Sequence, residues 1–291
     1  MNYCSRILSA ILIAYKASDV LATFTIAAAD SSTGQVGASG SSCVALSLYT
    51  AAYHSVPGHG ICMTQALPAK NMAWNPYATF TSPVYEVIDD LLAADTDPSA
   101  IIDCITDKRV DVEEVQEDAT GDIMDGVDVR QYGCVNVLGE SAGYTGKDIR
   151  KMYYSMMSGK ESNQDIQGTY GDIVYTAQGN IVSRTAVSTL SDTFTEDGAC
   201  DLVERLYNSL AAVFESQELI GDMRCFDKNH AAGSTLFIHV DNADGTEVIH
   251  IQNENPDDYV NPWEEFQTEY DEWRSKNPCP SDLKYSAAVP F

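Results

Sequence analysis

The stretch from Val20 to Asp30 most constrains the fold, because an export signal ends there and a strand begins. Upstream, Arg6 precedes an apolar run from Ile7 to Tyr15, which is shorter than the roughly 20 residues needed to span a bilayer. Val20 and Ala22 stand three positions and one position before the expected cut, where signal peptidase accepts small side chains. The sequence therefore predicts a signal peptide over residues 1–22 and a secreted protein, extracellular or periplasmic.

Cleavage after Ala22 would leave Thr23 with a free α-amino group beside its own hydroxyl. The reference pKa of an α-amino group is about 7.7–8.0, so a neutral fraction can accept the hydroxyl proton near neutral pH. This makes Thr23 a candidate amidase nucleophile that needs no histidine. The alternative is that Thr23 is simply the first residue of a strand.

The charge of the chain limits its partners. The sequence has 17 Lys and Arg against 43 Asp and Glu, a net charge of −26. Such a surface repels nucleic acid and anionic membranes and favours cations or basic partners. We therefore expect no nucleic-acid partner and no membrane association after cleavage. The apolar fraction of 44 % is typical of a globular protein and not of a disordered acidic tail.

Cysteine and histidine patterns give no metal or cofactor signature. Loss of Cys4 with the signal would leave 8 − 1 = 7 cysteines, so we expect disulfides and at least one free or intermolecular cysteine. No Cys-x-x-Cys spacing occurs, which removes the usual zinc and redox motifs. His239 and His250 could face each other across a hairpin, but no third ligand stands in sequence reach. Packing or surface roles are therefore favoured for the histidines, and we expect neither a metal nor a cofactor.

Hydrophobic periodicity predicts one sheet-rich domain over residues 23–276 with a tail over 277–291. An acidic stretch over 107–128 lacks the alternating ligands and final Glu of an EF-hand, so it is predicted to be a solvated loop. The polar segment 147–172 is predicted to be an insertion, and 70–83 a loop. Strands are predicted at 23–29, 35–39, 60–66, 131–138, 174–180, 234–240 and 247–252, and helices at 84–92, 101–105, 182–194, 199–214 and 262–273.

Several segments resemble, in order, one protein family. Thr23 to Asp30 with Thr33 to Gly37 resembles the opening TFSIVARD…TGEVG of the Ntn-hydrolase-like family catalogued as domain of unknown function 1028. The likeness extends from Thr23 to about Arg274, and the order and spacing of the segments make it specific. The other segments similar to the family are Thr64 to Ala66, Arg130 to Val135, Gln178 to Ile181, Gly221 to Arg224, Ala231 to Leu236 and Pro256 to Trp273.

The resemblance implies an α+β fold, a four-layer αββα sandwich of the N-terminal-nucleophile (Ntn) hydrolases. Members of that superfamily cleave amides. The chain is therefore predicted to be a secreted amidohydrolase in which Thr23 attacks an amide or peptide-like bond of a small substrate that the sequence does not identify.

Within this reading, four further residues receive candidate roles. Asn180 would donate a hydrogen bond to the oxyanion formed when Thr23 attacks a carbonyl. Asp222 would orient the α-amino group, Arg224 would bind a substrate carboxylate, and Gln65 would line the pocket. The alternatives are that Asn180 is a turn or helix-cap residue, that Asp222 and Arg224 form a structural ion pair, and that Gln65 only occupies a sheet.

One departure from the family favours a rival function. Relatives carry a basic residue soon after the second strand, where it helps to lower the pKa of the nucleophile, whereas Ser39 to Cys43 has none. The alternative function is a catalytically inactive extracellular binding or self-assembling structural protein built on an Ntn-like scaffold. The acidic surface, the odd cysteine and the predicted insertion favour it too. A homo-oligomer is compatible with either function.

Overall fold

A computed structural model of the chain describes residues 23–43, 47–66, 83–111, 114–116, 123–149, 161–216, 218, 220–222, 225, 231–254 and 261–279. The predicted signal peptide, most of the predicted loop at 70–83, Arg224 and most of the predicted tail lie outside these residues.

The larger of two main sheets has six strands in the order β12-β11-β2-β1-β10-β9. All neighbouring strands in it are antiparallel. The strand that begins with Thr23 therefore lies in the middle of this sheet. The strands are β1 (Thr23–Asp30), β2 (Val36–Ser42), β9 (Glu161–Tyr170), β10 (Ile173–Ser183), β11 (Thr235–Asp241) and β12 (Glu247–Glu254).

The smaller sheet has four antiparallel strands in the order β3-β4-β7-β8, and a separate two-stranded sheet pairs β5 with β6. Strands β1 and β10 contact β4 and β7, and β9 contacts β8, so the two main sheets pack against each other. The strands are β3 (Tyr53–Val56), β4 (Gly60–Ala66), β5 (Glu114–Gln116), β6 (Ile123–Asp125), β7 (Arg130–Asn136) and β8 (Ser141–Thr145).

Helices pack on both sheets. Helices α4 and α5 contact strands of the large sheet and α6 contacts β12, whereas α2 and α3 contact strands of the small sheet. None of the described helices is long and apolar enough to cross a membrane. The helices are α1 (Leu48–Ala52), α2 (Pro83–Ala93), α3 (Pro98–Ile105), α4 (Ala186–Phe194), α5 (Leu202–Phe214) and α6 (Trp263–Lys276).

Strand β1 shows how the sequence produces this packing. Its residues alternate between the two faces of the sheet, as the period of two in a strand requires. Phe24, Ile26 and Ala28 join the apolar cluster formed with α4, α5 and α6, whereas Ala27 and Ala29 join a second cluster between the two sheets. A third cluster lies between the small sheet and helices α2 and α3. The α+β class expected from the sequence is confirmed.

The second half of the predicted insertion at 147–172 contains regular structure that the sequence did not predict. Residues Glu161–Tyr170 form the edge strand β9, which pairs with β10 along most of its length. A predicted helix boundary is wrong, since Val182 belongs to β10 and α4 begins only at Ala186.

The predicted solvated loop at 107–128 is only partly solvated. Asp111 is buried and forms an ion pair with Arg130, whose Nη2 donates to its Oδ1 at 3.0 Å. Asp128 is also buried, and Lys147 Nζ lies 2.8 Å from its carboxylate. Because buried carboxylates require partners, the ion pairs with Arg130 and Lys147 hold part of the acidic stretch against the domain.

Disulfides join distant parts of the chain. Between described residues, the bonds are Cys43–Cys225, Cys62–Cys134 and Cys200–Cys279. No cysteine in the described part of the chain is free, so the expected unpaired cysteine is not found there. Disulfides form and persist in oxidising compartments, and these three indicate an extracellular or periplasmic environment.

Candidate functional site

Thr23 lies at the first position of the central strand β1, between two polar neighbours. Asn180 of β10 is its partner on one side and Ser42 of β2 is its partner on the other. The hydroxyl of Thr23 donates a hydrogen bond to Ser42 Oγ at 3.3 Å. All three residues are fully buried.

A chain of side-chain amides lies beside Thr23 on the face between the two sheets. Thr25 Oγ1 donates to Gln65 Oε1 at 3.0 Å, and Gln65 Nε2 donates to Gln131 Oε1 at 2.7 Å. Asn180 Nδ2 donates to the same Gln131 oxygen at 3.4 Å. These groups can donate and accept hydrogen bonds but carry no charge. We use the name Thr23 end for the six residues of this region: Thr23, Thr25, Ser42, Gln65, Gln131 and Asn180.

The core between the sheets becomes polar along the strands toward this end. On β4, Ile61 and Met63 belong to the apolar cluster between the sheets, and Gln65 follows on the same face. On β7, Val135 is apolar and Gln131 is polar in the same way. The period of two thus places Gln65 and Gln131 on the face between the sheets, each one residue from an end of its strand.

Gly133, which lies between Gln131 and Val135 on β7, leaves room for the side-chain amide of Gln178. A Cβ at this position would lie 2.5 Å from the side-chain carbon Cδ of Gln178. Gln178 Nε2 donates to the carbonyl oxygen of Tyr132. Only a glycine therefore lets the Gln178 side chain pass between the two sheets.

Backbone strain is concentrated next to two of the predicted site residues. Among the described residues, three non-glycine residues have positive φ, and two of them, Ala66 at 74° and Ile181 at 57°, directly follow Gln65 and Asn180. A β-branched residue in the left-handed region is a true outlier, and such conformations cost roughly 1–3 kcal/mol and cluster at functional sites. Ile181 is held by the side chain of Asn163, whose Oδ1 accepts from its backbone N–H at 3.0 Å.

Asp222 reaches the same end of the sheet from a distant part of the chain. It forms a bridge with Val182, and its Oδ2 accepts from the backbone N–H of Cys43 at 3.0 Å. Cys43 follows Ser42 and is disulfide-bonded to Cys225. Asp222 is therefore held near the end of β2 by its bridge to Val182 and by the hydrogen bond of its own carboxylate to Cys43, which the disulfide to Cys225 fixes in turn.

Four of the five predicted site residues thus lie at one end of the two sheets: Thr23, Asn180, Gln65 and Asp222. Arg224 lies outside the described residues, so its predicted pairing with Asp222 stays a prediction. Sequence reasoning did not assign a site role to Thr25, Ser42 or Gln131. Thr25 stands two residues after Thr23 and hence on the same face, a signal that strand periodicity contains.

The chemistry of Thr23 depends on the bond that precedes it. In the full-length chain its nitrogen forms a peptide bond with Ala22, and a peptide nitrogen does not act as a base. Thr23 is also fully buried in that chain. The base and the access that an amidase needs would both have to come from cleavage before Thr23.

Comparison with solved structures finds a shared fold. A crystal structure of protein SPO2555 from Silicibacter pomeroyi, described as DUF1028, matches with a TM-score of 0.59 over 93 % of this chain and 100 % of that chain. This chain has the fold of a DUF1028 protein. The sequence identity is 15 %, so the likeness extends to fold and carries no function. No family model matches the sequence, and no curated protein does.

Proposed function

We propose that the protein is a secreted amidohydrolase of the N-terminal-nucleophile type, with Thr23 as its nucleophile after removal of residues 1–22. The observation that carries the proposal is the placement of Thr23 at the start of the central strand, between Ser42 and Asn180. The amides beside it supply donors in a region largely without water, where hydrogen bonds to a developing charge are strongest.

The arrangement of layers and the sequence resemblance support the proposal. Helices pack on the large sheet, the large sheet on the small sheet, and the small sheet on further helices. This order is the one expected of an αββα Ntn-like sandwich. The segments that resemble the DUF1028 family include β1, β4, β7 and the end of β10, which together carry Thr23, Gln65, Gln131 and Asn180.

The proposed reaction proceeds in two halves. The neutral α-amino group of Thr23 takes the proton from Oγ1, and Oγ1 forms a bond to the carbonyl carbon of the substrate amide. The carbonyl oxygen becomes an oxyanion, to which Asn180 Nδ2 donates in the proposed scheme. Collapse of this intermediate breaks the C–N bond, and the leaving amine takes the proton from the α-ammonium. Water then hydrolyses the Thr23 ester by the same proton transfers and regenerates the enzyme.

Ser42 and Asp222 would act on Thr23 from two directions. The hydroxyl of Ser42 stands where it fixes the direction of Thr23 Oγ1. The carboxylate of Asp222 accepts a hydrogen bond from the backbone N–H of Cys43, the residue after Ser42. This carboxylate would orient the α-ammonium group of Thr23. Because Ser42 is neutral and accepts the hydrogen bond from Thr23, it would not lower the pKa of the Thr23 hydroxyl as a nearby lysine would.

The test is to identify the mature N-terminus and then to label it. The secreted protein should begin at Thr23 by N-terminal sequencing and intact mass. A β-lactone probe should acylate Thr23, and Thr23→Ala should abolish this adduct. Thr33→Ala is the control, since Thr33 is an exposed threonine in the turn that follows β1 and its loss should leave the adduct on Thr23. A mature chain that begins at another residue would exclude the proposed nucleophile.

The second candidate is a non-catalytic extracellular protein on the same scaffold. The complete burial of Thr23 in the full-length chain favours it, because a substrate cannot reach the hydroxyl before cleavage. Retention of residues 1–22 in the secreted protein, or a Thr23 N-terminus that no β-lactone acylates, would support this candidate over the amidase.

A further inference from the structure

A polar cluster outside the Thr23 end lies in the hairpin of β11 and β12. His239 and His250 are direct partners across this hairpin, as the sequence suggested. On β11, His239 lies four residues beyond Thr235, which pairs with Ser42. At a rise of about 3.4 Å per residue, the histidines are ~14 Å along the sheet from the row that contains Thr23. They therefore form a separate location.

The two imidazoles approach each other through their Nδ1 atoms. His239 Nδ1 and His250 Nδ1 are 3.0 Å apart. Two nitrogens that bind one tetrahedral Zn²⁺ at about 2.0–2.1 Å are separated by about 3.3 Å. A shift of a few tenths of an ångström would therefore make room for an ion between the rings.

A carboxylate supplies the third ligand that the sequence did not place. One ligand atom each from His239, Glu247 and His250 lie within 4.8 Å of one another. Glu247 precedes His250 by three residues, and in a regular strand it would face the other side of the sheet.

A register shift brings Glu247 to the correct face. Val240 pairs with Ile249, but the next residue, Asp241, pairs with Glu247, so Val248 is an extra residue in β12. A bulge of this kind redirects the side chains that follow it. Glu247 therefore points to the face that carries Asp241 and both imidazoles.

Neighbouring side chains orient the rings as in established metal sites. His239 Nε2 lies 3.1 Å from Asp241 Oδ2, so this nitrogen donates its proton to the carboxylate and leaves the Nδ1 lone pair for a ligand. The ring of Tyr49 packs against His239 and His250 with centroid distances of 4.8 and 4.6 Å. Both rings are thus held before any ion arrives.

The cluster is open to solvent on one side. His239 is buried, whereas Glu247 and His250 are exposed. The net charge of −26 raises the concentration of cations near the surface. A hydrated divalent ion can reach the three ligands without opening of the fold.

We propose that His239 Nδ1, His250 Nδ1 and the Glu247 carboxylate bind one divalent transition-metal ion of the Zn²⁺ class, with Asp241 as the residue that positions His239. In the absence of the ion, the Nδ1–H of His250 donates to His239 Nδ1. On binding, that proton moves to the exposed Nε2 of His250, so both Nδ1 atoms have a free lone pair and no net proton is released. A water molecule completes four-coordination. The proposal does not depend on the function of Thr23.

The experiment measures binding of Zn²⁺ to untagged secreted protein by titration calorimetry, with metal content determined after dialysis. We expect one ion per chain in the wild type and loss of this ion in His250→Ala and in Glu247→Ala. Both residues are exposed, so these variants keep the fold. Asp241→Asn should weaken binding by about 10–100-fold. His59→Ala, which removes a partly exposed histidine in the turn between β3 and β4, is the control and should bind as the wild type.

A spectroscopic signature separates this site from adventitious binding. Co²⁺ in the three-ligand site should show the intense visible absorption of a four-coordinate ion, and His250→Ala should abolish it. Absence of stoichiometric Zn²⁺ binding, or equal binding by His250→Ala and wild type, would leave the pair as a His–His hydrogen bond and overturn the proposal. Thr23→Ala should bind Zn²⁺ as the wild type does, so a failure of the amidase proposal can be distinguished from a failure of the metal-site proposal.

Discussion

The Thr23 end and the histidine cluster formed by His239, Glu247 and His250 are two polar regions beside the same face of the large sheet, and they differ in access and in charge. The first is buried and consists of hydroxyls and amides, whereas the second is open and consists of imidazoles and carboxylates. In the full-length chain the peptide nitrogen of Thr23 does not act as a base for its hydroxyl, and cleavage before Thr23 would supply a base as the free α-amino group. In the proposed functions, the first region therefore needs processing of the chain, whereas the second binds its ion without processing.

The largest expected effect concerns the buried framework of the Thr23 end. Asp111→Ala removes the buried carboxylate that pairs with the buried guanidinium of Arg130, the residue before Gln131. We expect the free energy of unfolding to fall by about 3–5 kcal/mol, measured by urea denaturation. The exposed pair of Lys108 and Asp125 provides the control, since Asp125→Ala should cost less than about 1 kcal/mol. Similar losses for both variants would contradict the difference in burial.

The next effect concerns the chemistry of Thr23. Asn180→Ala should slow acylation of the mature N-terminus by a β-lactone by about 10²–10³-fold, because it removes one donor to the oxyanion. Asn136, at the opposite end of β7, is the matched control, and Asn136→Ala should label at nearly the wild-type rate. An unchanged rate in Asn180→Ala would mean that the oxyanion is bound elsewhere.

A smaller effect compares the stability of the two regions directly. Gln131→Leu removes the partner of the buried Gln65 amide and should cost about 1–3 kcal/mol. His250→Ala, at an exposed position, should change the free energy of unfolding by no more than about 0.5 kcal/mol without metal. Added Zn²⁺ should raise the melting temperature of Gln131→Leu and should leave that of His250→Ala unchanged. The reverse ranking would show that the open region carries the stability.

The smallest effect is the dependence of stability on pH at the border of the Thr23 end. Burial raises the pKa of Asp165 above 3.8, and Asp165 pairs with Gln178 across β9 and β10. The folded state therefore holds this proton to higher pH than the unfolded state, and stability falls as pH rises through that interval. Asp165→Asn should be more stable than the wild type at pH 7 and equal to it below 3.8. Urea denaturation at both pH values provides the measurement, and a stability gain that is the same at both would exclude this cause.

Strong local signals in the sequence predicted much of the fold. Strand β4 was predicted with its observed bounds, because small and β-branched residues fill Gly60–Ala66. Helix α3 begins at Pro98, where Asp97 caps it by accepting from the backbone N–H of Ser99 at 2.7 Å. Both signals lie within a few residues of the element that they specify.

Long-range pairing explains what the sequence did not predict. Strand β9, Glu161–Tyr170, is largely polar and forms the edge of the sheet, so its strand conformation comes from β10 and not from apolar alternation. Asp111 is buried only because Arg130 lies beside it in space. At the candidate site, the expected cleavage position indicated Thr23, and the roles of Gln65 and Asn180 were inferred from the chemistry that an attack by Thr23 requires. The bulge at Val248 that brings Glu247 to His250 has no sequence signal that we recognise.

The disulfides have a further consequence for a protein exposed to extracellular proteases. The ring closed by Cys43 and Cys225 overlaps the ring closed by Cys200 and Cys279. Any single cut between Cys43 and Cys279 therefore falls inside at least one ring, and the two fragments stay covalently joined. A nicked molecule would migrate as one band until it is reduced. Strand β1, with Thr23 at its start, precedes both rings, so these two bonds do not retain a fragment released by a cut there.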